Sequence, residues 1–131
     1  MKKTIEVVGA IILKDKKVFC TQRGGEKALP YKWEFPGGKI ESGESPENAL
    51  MREIFEELHS VISIKGFFQT VAYEYDTFII HLHTYLCELV EGNLELTEHV
   101  DKKWANIDDL SSLDFAPADK PIISSLLKYL K

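Results

Sequence analysis

The stretch from Gly37 to Val61, GGKIESGESPENALMREIFEELHSV, constrains this chain more than any other. A glycine pair leads into a loop that holds Glu41 and Glu44. Ser45 and Pro46 then open a predicted helix, with serine as N-cap and proline at the first helical position. Glu47 adds a favourable negative charge to the first turn. On a wheel of 3.6 residues per turn, Leu50, Met51, Ile54, Phe55 and Leu58 share one broad arc and are expected to face a core. Glu53, Glu56 and Glu57 gather on another arc, where like charges repel by roughly 0.2–0.5 kcal/mol per pair. Arg52 reaches Glu56 but does not neutralise three carboxylates. A solvated acidic face is the commonest reason for such a helix. The glycines ahead of it shift the reading, because Gly37-Gly38 frees the backbone for close approach and Gly43 adds a second permissive point. Oxygen ligands converging from one helix suit Mg²⁺, or Mn²⁺, together with substrate phosphates.

With 131 residues the chain has the size of one domain, taken as residues 1–131, and its 44% hydrophobic content suffices for one core. It holds no apolar run of about 18 residues, so no membrane span is expected. The apolar N-terminal part is broken by Glu6 and reads as a strand rather than a signal peptide. Cys20 and Cys87 lack metal spacing and read as reduced core thiols of a cytoplasmic protein. A net charge of −5 argues against binding nucleic acid polymers. It leaves room for a nucleotide whose phosphates are screened locally.

Thr4–Leu13 and Val18–Gln22 are predicted strands joined as a hairpin. Arg23 ends the second and is a candidate ligand contact, although a solvated strand-end arginine is the commoner case. Gly24–Lys32 is a loop, and Trp33-Glu34-Phe35-Pro36 leads into the glycine pair. Phe35 is placed to stack on a base or to pack on the core. Ile62–Tyr75 and Phe78–Val90 are long strands about a tight Asp76-Thr77 turn. His81 and His83 share one face of the second. With no third ligand at a convincing spacing, they read as structural or substrate-lining. Leu94, Leu96, Val100 and Trp104 carry the apolar pattern through a polar loop containing Glu98 and His99. Ile107–Leu110 is a helical turn, LDFAPAD a loop, and Lys120–Lys131 a helix with Ile122, Ile123, Leu126, Leu127 and Leu130 on one face. Strands on both sides of one helix, with a second helix at the end, predict an α/β layered domain with a mixed sheet.

The Gly37–Val61 stretch resembles the box of the MutT/Nudix hydrolases, G-x5-E-x7-R-E-U-x-E-E-x-G-U with U aliphatic. Gly38, Glu44, Arg52, Glu53, Ile54, Glu56 and Glu57 fall in register. His59 stands where the box has glycine, and Ser60 where it has an aliphatic residue. Histidine tolerates the left-handed backbone that a helix-ending glycine supplies, and Val61 is expected to provide the missing apolar contact. The resemblance implies an α/β/α sandwich with a mixed β-sheet between helices. KWEFPGGKIESGE and DFAPADKPI are similar to the MutT branch, which hydrolyses nucleoside triphosphates to the monophosphate and pyrophosphate.

That resemblance implies Mg²⁺ (or Mn²⁺) held by Glu53, Glu56, Glu57 and the Gly37 carbonyl, with Glu98 as a further ligand or a plain surface residue. Glu53 is the expected general base, with Glu98 second. Glu44 and Arg52 organise loop and helix. Arg23 and Lys39 are the expected phosphate cations. Asp119 is placed either to read the base or only to cap the last helix. An ionised aspartate only accepts hydrogen bonds and suits an exocyclic amine such as cytosine N4. IIHLHTY and FAPAD resemble bacterial CTP pyrophosphohydrolases, in which arginine is expected at the position of Phe78. The implied substrate is a (deoxy)CTP or modified pyrimidine nucleotide. An 8-oxo-dGTP-sanitising enzyme and a non-catalytic nucleotide sensor are the alternatives. A monomer or weak homodimer is expected.

Overall fold

The computed structural model describes residues 2–130. Seven strands and three helices follow in the order β1 (Lys3–Lys14), β2 (Lys17–Gln22), β3 (Trp33–Glu34), β4 (Gly37–Lys39), α1 (Pro46–Leu58), β5 (Val61–Glu74), β6 (Phe78–Glu91), β7 (Asp101–Ala105), α2 (Ile107–Ser112) and α3 (Lys120–Tyr129). A 3-10 turn, Pro117–Asp119, precedes α3. The strand order is β3-β2-β1-β6-β5, with β4 also on β1 and β7 also on β2. β1 and β6 run parallel over ten residue pairs, Lys3↔Phe78 to Ile12↔Cys87, and the other pairings are antiparallel. The sheet is therefore mixed, as the sequence predicts.

The alternation of β1 sorts the core into two layers. Val8, Ala10 and Ile12 meet Ala49, Leu50, Ile54 and Leu58 of α1 on one face. Ile11, Val71 and Leu82 meet Ile122, Ile123 and Leu126 of α3 on the other. The result is the α/β/α sandwich. On α1 the buried stripe is narrower than the helical wheel predicts. Met51 and Phe55 are 40% and 62% exposed, and Ala49 takes a core place instead. Only the centre of the apolar arc meets the sheet.

The helix starts as expected: the Ser45 hydroxyl accepts from the Asn48 N–H at 3.1 Å. It also ends as expected, with His59 left-handed at φ 49°, ψ 41° and its N–H on the Phe55 carbonyl. Val61, however, is exposed at the surface and supplies no core contact. Ser60 is buried instead. Its Oγ donates to the Leu58 carbonyl at 2.8 Å and accepts from the Leu94 N–H at 2.9 Å. A Cβ on Gly92 would lie 2.5 Å from that oxygen, so the chain after β6 passes directly over Ser60. A small hydrogen-bonding residue fits there, and an aliphatic one would not.

The glycine pair that leads into the loop is itself in a strand: Gly37 and Gly38 belong to β4 and pair with Gly9 and Val8. One further expectation is corrected. The polar segment read as loop up to Trp104 contains β7, whose Asp101–Ala105 pairs with β2 from Val18 to Gln22. The last helix ends at Tyr129. Leu130, within the predicted helix, is its C-cap, and Lys131 lies outside the described residues.

Replacing His59 by glycine removes the left-handed strain and is expected to raise stability by about 0.5–1 kcal/mol. Ser60→Ala strips the buried Leu94 N–H of its partner and is expected to lower stability by about 1–3 kcal/mol. Thermal or urea unfolding measures both.

Candidate active site

Arg52 ties the loop to the helix. Its Nε and Nη2 donate to the two Glu44 oxygens at 2.6 and 2.9 Å. Its Nη1 donates to Glu53 at 3.0 Å and Glu56 at 2.8 Å, and Nη2 also reaches the Lys39 carbonyl at 3.2 Å. Such paired, charge-assisted contacts are the strong ones. They hold the Glu44 carboxyl down at about 2, with the Glu41 N–H contributing. The loop is thereby fixed on the first turns of α1.

The glycines serve close approach, as predicted, but toward specific neighbours. A Cβ on Gly37 would fall 1.9 Å from the Val8 carbonyl oxygen, inside β1. A Cβ on Gly38 would fall 2.5 Å from the Glu53 carboxyl group. β4 therefore lies flat against Glu53, with no side chain between them.

Glu53 and Glu57, one helical turn apart, point into a cleft of about 650 Å³ that Glu34, Glu41 and Glu98 also line. Burial raises the Glu53 carboxyl, with Arg52 pulling against it. Glu57 is pushed up to about 8, first by burial, then by the charges of Glu53, Glu34 and Glu98, with Lys27 partly offsetting them. Its Oε1 is buried and has no hydrogen-bond partner. Native structures rarely leave such an atom alone. A cation among these oxygens would satisfy it, and an all-oxygen donor set suits a hard divalent ion. Among the described residues, no three Asp, Glu, His or Cys side chains enclose an ion by themselves. Backbone carbonyl and phosphate oxygens would complete the shell, as is usual for Mg²⁺.

The other end of the cleft is apolar, lined by Phe35, Tyr75, Phe78, Ile80, Leu82 and Ala118. Phe78 stacks on Tyr75 at 5.0 Å between ring centroids. Asp119 closes this end, only 6% exposed. Its side chain makes no cap hydrogen bond to α3, so capping does not explain it. Instead Oδ1 accepts from the Phe35 N–H at 3.4 Å. Burial raises its carboxyl well above the usual range, the Glu34 charge adds to this, and the Phe35 N–H and Arg23 oppose it. Arg23 lies between the two ends, with Nη1 on Glu34 at 3.0 Å and Nε on the Ala28 carbonyl at 2.7 Å.

The structure thus brings Arg23, Phe35, Gly37, Lys39, Glu53, Glu57, Phe78, Glu98 and Asp119 to one cleft. Glu44 and Arg52 stand behind it. Glu56 is not among the lining residues; it is exposed and held by Arg52. His81 and His83 lie elsewhere, both on the Glu6 carboxylate, at 2.8 and 2.7 Å. Sequence reasoning passed over Glu34 and His99. Alternation marks Glu34 as facing away from buried Trp33, but nothing local marks His99.

Among the described residues no helix is long and apolar enough to cross a membrane. The NUDIX domain family matches residues 3–126. The chain is 36% identical to the 8-oxo-dGTP diphosphatase of Escherichia coli strain K12, over 96% of this chain and 98% of that protein. It is 35% identical to the CTP pyrophosphohydrolase of the same organism, over 95% and 93%. It superimposes with a TM-score of 0.80 and 43% identity on a solution structure of the mismatch repair protein MutT from methicillin-resistant Staphylococcus aureus, covering 98% of this chain and 99% of that one. With the box residues, the sandwich and this cleft in one chain, the protein belongs to the Nudix family of hydrolases.

Proposed function

We propose that the chain is an Mg²⁺-dependent pyrophosphohydrolase that splits a nucleoside triphosphate into monophosphate and pyrophosphate, with (deoxy)CTP or a modified pyrimidine nucleotide as its substrate. Nudix hydrolases generally use divalent metal ions such as Mg²⁺. The observation that carries the reading is a single cleft with an unpartnered buried Glu57 oxygen at one end and a buried Asp119 at the other. As the chain is a Nudix hydrolase, the non-catalytic sensor is set aside.

Glu53, Glu56, Glu57, Glu98 and the Gly37 carbonyl would hold the ion, with Glu56 sharing its carboxylate with Arg52. When bound, the ion neutralises phosphate charge and acidifies a water molecule. Glu53, held between Arg52 and the cleft, would take the proton from the attacking water. Arg23 and Lys39 line the path of the phosphates and stabilise the departing pyrophosphate. The water oxygen joins phosphorus as the bond between the α- and β-phosphates breaks.

The raised Asp119 carboxyl changes the base argument. A protonated carboxyl both donates and accepts. It pairs with cytosine through N3 and N4, and equally with 8-oxoguanine through O6 and N7–H. The latter favours 8-oxo-dGTP as a second reading, and identities of 36% and 35% to the two relatives do not separate them.

Pyrophosphate release from canonical, 5-methylated and oxidised triphosphates is expected to be fastest with a cytosine or modified pyrimidine base. Faster release from 8-oxo-dGTP than from every pyrimidine selects the second reading. Asp119→Asn keeps a donor and an acceptor, whereas Asp119→Ala is expected to lose roughly 1–3 kcal/mol of base recognition, seen in kcat/KM.

Glu57 also sets a pH dependence. Its folded value of about 8 lies above the ordinary carboxylate range, so the stability it contributes is full below that range and is lost as pH rises from there through about 8. Without metal, Glu57→Gln is therefore expected to match the wild type near pH 5 and exceed its stability by about 1–3 kcal/mol near pH 9. Urea unfolding at the two pH values measures the difference.

A further inference from the structure

The segment after β6 that carries Glu98 is fastened on both sides of that residue. On one side, the Thr97 hydroxyl donates to the Glu57 carbonyl at 2.7 Å. On the other, the Val100 N–H donates to the Gln22 carbonyl at 3.0 Å. His99 adds a third tie, between side chains: its Nε2 lies 3.0 Å from Glu34 Oε2. The second Glu34 oxygen takes Arg23 Nη1 at 3.0 Å. One carboxylate thus joins the Glu98 segment to the arginine between the two ends of the cleft.

We propose that His99 is a positioning residue for the reaction, a brace that acts through Glu34 to hold Glu98 and Arg23 in one geometry. This rests on the reading of Glu98 as a group working at the metal end of the cleft. A carboxylate that receives Arg23 acts as an acceptor toward His99 as well, so Nε2 carries the hydrogen. The ring is buried, with its side chain 6% exposed. Its Nδ1 is buried without a partner. A residue chosen only to fill this space would be better apolar, because a buried nitrogen without a partner is unfavourable. The single hydrogen bond to Glu34 is what histidine supplies here and a leucine would not. Partners that orient ligating residues in this way typically change metal affinity or activity by roughly 10–100-fold when removed.

The test compares His99→Leu, His99→Gln and His99→Asn. Glutamine carries an N–H to about the place of Nε2, and asparagine falls short. His99→Leu is expected to lower kcat by about 10–100-fold with a smaller change in KM, and to weaken Mn²⁺ binding seen by electron paramagnetic resonance. His99→Gln is expected to recover most of both, and His99→Asn little. The glutamine–asparagine comparison decides the matter even if the leucine variant does not fold. Equal behaviour of the two amides overturns the brace. In a Glu98→Gln background, His99→Leu is expected to lower kcat by clearly less than it does in the wild type, because part of its effect passes through Glu98 and only the part through Arg23 remains. If Glu98→Gln is impaired and His99→Leu adds its full effect, the brace fails while the reading of Glu98 stands. Wild-type rates for Glu98→Gln overturn the reading of Glu98, and the brace with it.

Discussion

An unpartnered oxygen on a buried carboxylate is the unfavourable feature around which this structure is arranged. Glu57 holds its proton up to about 8 because burial and the charges of Glu53, Glu34 and Glu98 all oppose its ionisation. Folding alone does not favour such a wall of like charges. Arg52 answers for Glu44, Glu53 and Glu56, and Lys27 pairs with Glu98 at 3.4 Å, yet Glu57 Oε1 has no partner. Groups shifted this way in a cleft mark functional sites more often than structural ones.

The rest of the molecule keeps that wall in place. The parallel pair β1–β6 forms the floor, with apolar layers on both faces. α1 is pinned at its start by the Ser45 cap and the Glu44–Arg52 pair, and at its end by left-handed His59. β4, bare of side chains at Gly37 and Gly38, lets the backbone of one strand press against Glu53. At the far end the 3-10 turn before α3 swings Asp119 inward rather than onto its own helix. On the proposed reading, polyphosphate chemistry and base recognition share one cleft without sharing residues.

Much of this was legible in the sequence because it is local. Cap, proline, carboxylate spacing and the left-handed histidine all fall within 25 residues, and strand alternation sorted most of the core. What escaped depends on distant partners. Met51 and Phe55 lie on the apolar arc of α1, but the sheet reaches only its centre. Ser60 departs from the motif, and what accounts for it is the distant chain around Gly92 that crosses it. β7 carries charged residues at Asp101, Lys102 and Lys103, and its pairing with β2 cannot be read from their polarity. Glu34 and His99 meet across 65 residues of chain, a separation that no periodicity reports. The place of Asp119 before Lys120-Pro121 allows either a base contact or a cap, and its hydrogen bond to distant Phe35 is what turns it toward the cleft.

The central claim is that a divalent ion completes the Glu57 site, and the proton on that residue makes the claim measurable. Calorimetric titration of the metal-free protein with Mg²⁺ or Mn²⁺ near pH 7, repeated in buffers of different ionisation enthalpy, counts the protons released. The account predicts uptake with release of about one proton per ion, a release that Glu57→Gln abolishes. No uptake, with or without nucleotide, would contradict it.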